Sequence, residues 1–414
     1  MRILTAFALS CFAAFAGAPA LTLIHSFAGG PSDGAGPWAT LILDANGSLY
    51  GTTTAGGALG NGTVFQLSPE AGGGAWKETI LYSFGGQNGD GADPIAGLAF
   101  SSTGALYGTT LKRGAHGLGT VFELTPPTAA GGPWSEAVLH SFKGGDGASP
   151  QTGVIVAANG MLYGSTQFGG AGNYGVVFQL APATGGNWKE TVLHSFTGPS
   201  QDGAYPSGLY LDSTGVLYGT TTNGGIYDEG TFFQLTPPSS GSAWTESILY
   251  SFSCCGDGQF PRGGLFPSDH GEFFGTTQYG GNGGKAGSVF VISPPNRPTQ
   301  PWTEGLAWTF ESSGAQGELP TSGVVLTSKG VAYGTASIGG SSTNCLSGCG
   351  TVFKLVPPSS SGLPWTESTL VDFAGPTNGS HPIGGLVMDP QGRLYGTTAA
   401  GGASDYGTVF KLAP

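Results

Sequence analysis

Beyond residue 20, apolar residues in this chain come in short runs of four to eight, bounded by Gly, Pro, Asn, Asp or Ser, and nowhere follow helical spacing. Such runs predict strands, and four kinds of them recur in fixed order. A Pro-led run such as "PIAGLAF" from Pro94 (strand A) precedes "LYGTT" (strand B), then "GTVF" with its apolar tail (strand C), then "W-x-E" running on to "S-F" (strand D). Turns of hairpin length, such as "SSTG" and "DPQG", join A to B. The strand B tyrosine stands at Tyr50, Tyr107, Tyr163, Tyr218, Tyr333 and Tyr395, with Phe274 in the fifth unit. Six steps from Tyr50 to Tyr395 give a period of about 57 residues. Seven four-stranded antiparallel units of this length predict an all-β fold, a seven-bladed β-propeller over residues 21–414.

The two ends complete each other. The last unit stops after strand C at Leu412, and "LTLIHSF" at Leu21–Phe27 is a D strand without a unit of its own. Leu21–Phe27 is therefore expected to close the ring as the outermost strand of the last blade, leaving no open end. Both faces of a blade press on neighbours, so the Leu and Tyr of LYGTT should fill opposite interfaces. Gly51 should let an adjacent blade approach closely, and the Thr pair should make cross-strand hydrogen bonds. LYGTT is scaffold on this reading.

Taken together, "GLAF", "GALYGTT" and "GTVFEL" resemble the secreted tandem-repeat family of GloVer-repeat proteins, over all seven units from about Leu21 to Pro414. The resemblance implies an exported protein and no particular biochemical activity. Members of that family carry varied C-terminal anchors, whereas this chain ends in "KLAP", so no anchor is expected there.

Composition narrows the function. The 414 residues include 78 Gly without a G-X-Y period, which means tight turns and not collagen. A formal charge of −12 excludes a nucleic-acid binder, which needs a basic face. Residues 1–20 read as a cleavable signal peptide: Arg2, an apolar run from Ile3 to Phe15, and Ala18-Pro19-Ala20 as the cleavage site. No other run approaches the ~18 apolar residues of a membrane span. A secreted or periplasmic monomer is expected. Four cysteines follow the signal: Cys254, Cys255, Cys345 and Cys349. No zinc set is formed, and Cys345 with Cys349 is the candidate local disulfide.

Candidate chemistry gathers where the D–A and B–C loops meet, the face on which propellers usually bind ligands. One layer is regular: Asp33, Asp90, Asp146, Asp202 and Asp257 precede strand A in a "DGA" phrase ("DGQ" at Asp257), with Gln316 and Asn378 near that place in the last two units. These read as Asx-type turn caps. The alternative is a partial acid ring able to hold Ca²⁺, although carboxylates a blade apart (roughly 10 Å) are too distant to share one ion. No cofactor other than that Ca²⁺ is expected.

The second layer differs from unit to unit, and a scaffold does not require such differences. It yields Tyr205, Tyr227, Asp228, Arg262, His381 and Tyr406 as candidate ligand-binding residues. His25, His140 and His194 share a repeat position with Tyr82 and Tyr250 and read as packing. The W-x-E tryptophans and glutamates are likewise repeat-locked, and no catalytic motif is present. The leading reading is a non-catalytic binding or surface-interaction module, for a glycan, another polar ligand or a surface protein. The alternatives are a glycan lyase, hydrolase or lactonase at the channel mouth, with no catalytic residue assigned, and a structural envelope component.

Overall fold

The computed structural model describes residues 19–414 apart from 71–73, 86–88, 130, 201, 242, 255, 282–285, 298, 313, 315 and 361–362. Residues 1–18 of the expected signal segment, Cys255 and Lys285 lie outside the described residues. Seven four-stranded antiparallel sheets follow one another round a ring. In the first blade strand A is Ile42–Leu43, strand B Leu49–Thr53, strand C Thr63–Ser68 and strand D Lys77–Ser83. Helical structure among the described residues is a single turn at Thr184–Gly186, and no helix there is long and apolar enough to cross a membrane. Ala20–Ser26 pairs antiparallel with Thr408–Ala413, from Ala20 opposite Ala413 to Ser26 opposite Thr408. The chain's first strand thus completes its last blade, as its pattern predicts.

Seven aromatic contacts hold the blades together. The Phe ending each D strand meets the GTVF Phe of the next blade, from Phe27 on Phe65 round to Phe373 on Phe410, with ring centroids 5.1–5.3 Å apart. All are buried, and edge-to-face pairs of this kind contribute about 0.5–1.5 kcal/mol beyond their area. A bulge in every C–D ladder, between Val64 and Phe65 in the first blade, breaks the alternation of strand D and turns its Phe toward the neighbour.

Strand B behaves as scaffold. Leu49 packs with Phe27 and Tyr395 of the last blade, and Tyr50 packs with Leu106 and Phe122 of the second. Thr53 bonds Thr63 within its blade at 2.8 Å, and Thr52 donates to the Ala96 carbonyl of the next. Gly51 differs from expectation. It makes room inside its own blade, because Phe65 stands opposite it in the ladder and a Cβ there would lie 2.7 Å from Phe65 Cζ. The close approach between blades falls instead on the Gly of GTVF, whose φ runs from +91° to +106° in all seven units. A Cβ on Gly119 would sit 2.7 Å from Pro150 Cδ of the following blade. Cys345 and Cys349 are disulfide-bonded within one loop, their Cα atoms 5.2 Å apart.

Candidate functional site

Each strand A is bolted to the preceding blade by the residue before its proline. The seven amide groups, on Gly36, Asp93, Ser149, Tyr205, Phe260, Leu319 and His381, donate to carbonyls at the end of the preceding B–C loop at 2.8–3.0 Å. To do so all seven take left-handed backbone, with φ between +53° and +65°. That conformation suits Gly36, but a residue before proline ordinarily lies in the extended region. Six units nevertheless place a side chain there, at a cost of about 1–3 kcal/mol for each strained residue.

The bolt aims the residue after the proline into the centre of the ring. Trp38, Ile95, Gln151, Ser207, Arg262, Thr321 and Ile383 come one from each blade, and all line a central cavity of about 960 Å³. Glycines floor it, because adjacent strands A touch backbone to backbone, as Gly153 does against Gly97. Of the pre-proline residues, Asp93, Tyr205 and His381 also face the cavity. Tyr205 stacks edge-on to Phe168 at 5.5 Å. Asp93 is ion-paired with Lys112, another lining residue, at 2.8 Å. Trp38 is 43% exposed, an aromatic face open to whatever enters.

The residues singled out from sequence divide accordingly. Tyr205, Arg262 and His381 meet in the cavity, whereas Tyr227, Asp228 and Tyr406 are not among its lining residues. Tyr227 and Tyr406 are exposed on the outer B–C loops. Asp228 caps its own loop, accepting the Gly224 amide at 2.9 Å from a left-handed position. Trp38 and Gln151 escaped the sequence reading. Their signal was the place after the proline, which differs between units as much as the place before it.

The regular aspartates are spread over five blade interfaces. Each carboxylate accepts backbone amides of its turn, as Asp33 accepts from Ala28 and Gly34 at 2.6 Å. Each is also held by the D-strand His or Tyr: His25, His140 and His194 lie 3.1–3.4 Å away, and Tyr82 and Tyr250 donate at 3.1 and 2.6 Å. These five side chains therefore do more than pack. The pairing is written in the repeats, since the two units with Trp308 or Val371 at that place carry Gln316 or Asn378 in place of Asp. The Glu of the following blade's W-x-E strand completes the cluster. His25, Asp33 and Glu78 bring ligand atoms within 4.8 Å of one another, the one such group of three among the described residues.

These glutamates are mostly buried, and one oxygen of Glu78, Glu136, Glu190, Glu246 and Glu304 has no hydrogen-bond partner. Burial, then the adjacent aspartate, pushes the carboxyls of Glu78, Glu136 and Glu190 up to about 7 and that of Glu304 to about 8. Burial alone dominates for Glu246, also raised to about 7. A folded-state value above the unfolded one means that the native protein holds more protons, so this stability is complete below about pH 4.5 and is lost as pH rises through 7–8. His140, lowered by burial, opposes the trend below about pH 6.5. Asp33 and Asp202 are lowered by their hydrogen bonds against burial and act only below about pH 4. Thermal melts should accordingly show the melting temperature falling from pH 5 to pH 8.5. Changing the five glutamates to Gln should flatten that slope, and a flat wild-type profile would contradict the assignment.

A seven-bladed β-propeller with one irregular central funnel is the class that fold and site define. The family model of the Gloeobacter/Verrucomicrobia repeat matches residues 11–187 and 130–347, and the chain belongs to that family. A search of curated proteins finds no match. Among solved structures the chain is similar to a protein of Bacteroides uniformis ATCC 8492 assigned as a 6-phosphogluconolactonase, at 16% identity and TM-score 0.52. That match covers 84% of this chain and 88% of that one. It is also similar to an oxidoreductase of Thermus thermophilus assigned as a glucose dehydrogenase, at 14% identity, TM-score 0.43 and coverage of 95% and 100%. PorZ, a surface component of the type-IX secretion system of Porphyromonas gingivalis, matches at 14% identity and TM-score 0.43, over 85% of this chain and 44% of that one. The first likeness, at 16% identity, speaks to the fold alone.

Proposed function

We propose that the protein is exported and serves as a non-catalytic binding module, with a polar ligand of the glycan class seated in the central funnel. One observation carries this reading. Every blade sends the residue after its proline into the same cavity, and those residues are Trp, Ile, Gln, Ser, Arg, Thr and Ile while the surrounding phrases repeat. The scaffold does not require six residue types at seven copies of one position, and a cavity of about 960 Å³ with an aromatic face and scattered polar groups suits a small polar ligand. Among the described lining residues no histidine is hydrogen-bonded to a carboxylate, and the Asp93 carboxylate is engaged by Lys112. The His–Asp pairs all stand at the blade interfaces. That arrangement favours binding over general acid–base catalysis.

The test starts from protein recovered after export, whose N-terminus should be Leu21. A glycan array identifies a ligand, and calorimetry follows it. Replacing Trp38, Tyr205 and His381 by Ala together should weaken binding by about 100-fold or more, since contacts at a site centre dominate affinity. Melting should fall by much less than binding does, because Trp38 is largely exposed and Tyr205 loses only its ring contacts with Phe168 and Tyr174. The Tyr227→Ala, Tyr406→Ala double variant should bind like wild type. Loss in that variant, with retention in the first, would move the site to the outer loops. Turnover of the ligand would favour the enzyme reading.

A further inference from the structure

The funnel of this acidic protein is not itself acidic. Its charged lining residues are Asp93, Lys112 and Arg262, besides His381. Asp93 and Lys112 neutralise each other at 2.8 Å. Arg262 has no such partner: it enters no ion pair among the described residues, and its Nε is buried without a hydrogen bond. Burial disfavours its charged form, as expected of a guanidinium short of a counter-ion. Glu229, also left with a buried unpaired oxygen, belongs to the preceding blade's B–C loop and does not line the cavity. The chain as a whole carries −12, so a lone cation at the centre of the ring is a local reversal of sign. Desolvating a charge without pairing it is costly, and an anion bound in the funnel would supply the missing partner.

We infer that the funnel takes an anionic sugar, a pyranose ring bearing a carboxylate, with Arg262 as the receptor for the carboxylate. This rests on the funnel being the ligand site. A guanidinium presents parallel N–H groups that match the two carboxylate oxygens. Trp38, on the same cavity, offers the flat apolar surface for the ring's C–H face, and Gln151, hydrogen-bonded to Gln167, leaves amide groups for hydroxyls.

The experiment is calorimetry with three probes: an oligogalacturonate, the neutral galactose oligomer of the same length, and inorganic phosphate. The acidic oligomer should bind, with the neutral one at least about 10-fold weaker, the range expected for hydrogen bonds to a charged group. Arg262→Gln should remove that preference, and Arg262→Lys should restore only part of it. The melting temperature of Arg262→Gln should stay level or rise, since a buried unpaired charge is removed. A fall of several degrees would make Arg262 structural and overturn the inference. Equal binding of both oligomers, unaffected by Arg262→Gln but lost in the Trp38, Tyr205, His381 variant, would overturn the anionic class and leave the funnel standing. Acidic binding insensitive to either variant would sink both. Phosphate displacing the oligomer on equal terms would overturn the sugar and leave only an anion site, and no binding of any probe would overturn the proposal.

Discussion

Deleting Leu21–Phe27 is expected to cost the protein most of its stability. The segment supplies nearly all of the outer strand of the last blade, from Leu21 opposite Leu412 to Ser26 opposite Thr408. It also supplies Phe27, which is fully buried between the last and first blades. Truncating a buried Phe to Ala typically costs about 3–5 kcal/mol, and the deletion removes the strand pairing as well. A loss above about 5 kcal/mol is comparable with the whole stability of many domains. The freed edge of Thr408–Ala413 is apolar and offers a template to other chains. Size-exclusion chromatography should therefore show association, and thermal melts a lowered or absent transition. A peptide of sequence LTLIHSF added in excess should restore part of both. Melting like that of the full mature chain would mean that the ring closes in another way.

Gly119→Ala should be strongly destabilising for a single-methyl change. Gly119 has φ +94°, and an added Cβ would press on the Thr110 carbonyl oxygen and on Pro150 of the next blade. A strained backbone costs about 1–3 kcal/mol and overpacking about 1–3 kcal/mol, so a loss of about 2–5 kcal/mol is expected in denaturant unfolding. Gly104→Ala is the control. Its φ is +86°, but a Cβ there meets nothing within 4 Å, so it bears the backbone term without the collision. Equal losses in the two variants would show that the glycine of GTVF serves conformation alone and not the seam between blades.

The fold was legible because propeller energetics are periodic. Strand lengths, hairpin turns and the orphan D strand at Leu21–Phe27 each had one arrangement that leaves no open edge. The site was half legible, for two physical reasons. Direction was hidden: a residue before proline is expected to be extended, so nothing in Ser149-Pro150-Gln151 announces the left-handed bend that turns Gln151 inward. Variability then drew attention to outer loops such as Ile226–Glu229, where Asp228 does a local capping job, while strand A looked like scaffold. The interface clusters were hidden by distance along the chain. Glu78 reaches Asp33 only because one blade stacks on another, yet the loss of Asp wherever Trp308 or Val371 replaces His or Tyr was visible throughout.

The central claim is that the ligand sits in the funnel, within reach of one side chain from each blade. A crystal structure of the protein with the strongest array ligand tests it most directly. The account predicts density in the central cavity, against Trp38 and Tyr205 and within hydrogen-bond distance of Arg262. Density on the outer rim, at the W-x-E strands or against Tyr227 and Tyr406, with the funnel holding only water, would contradict it.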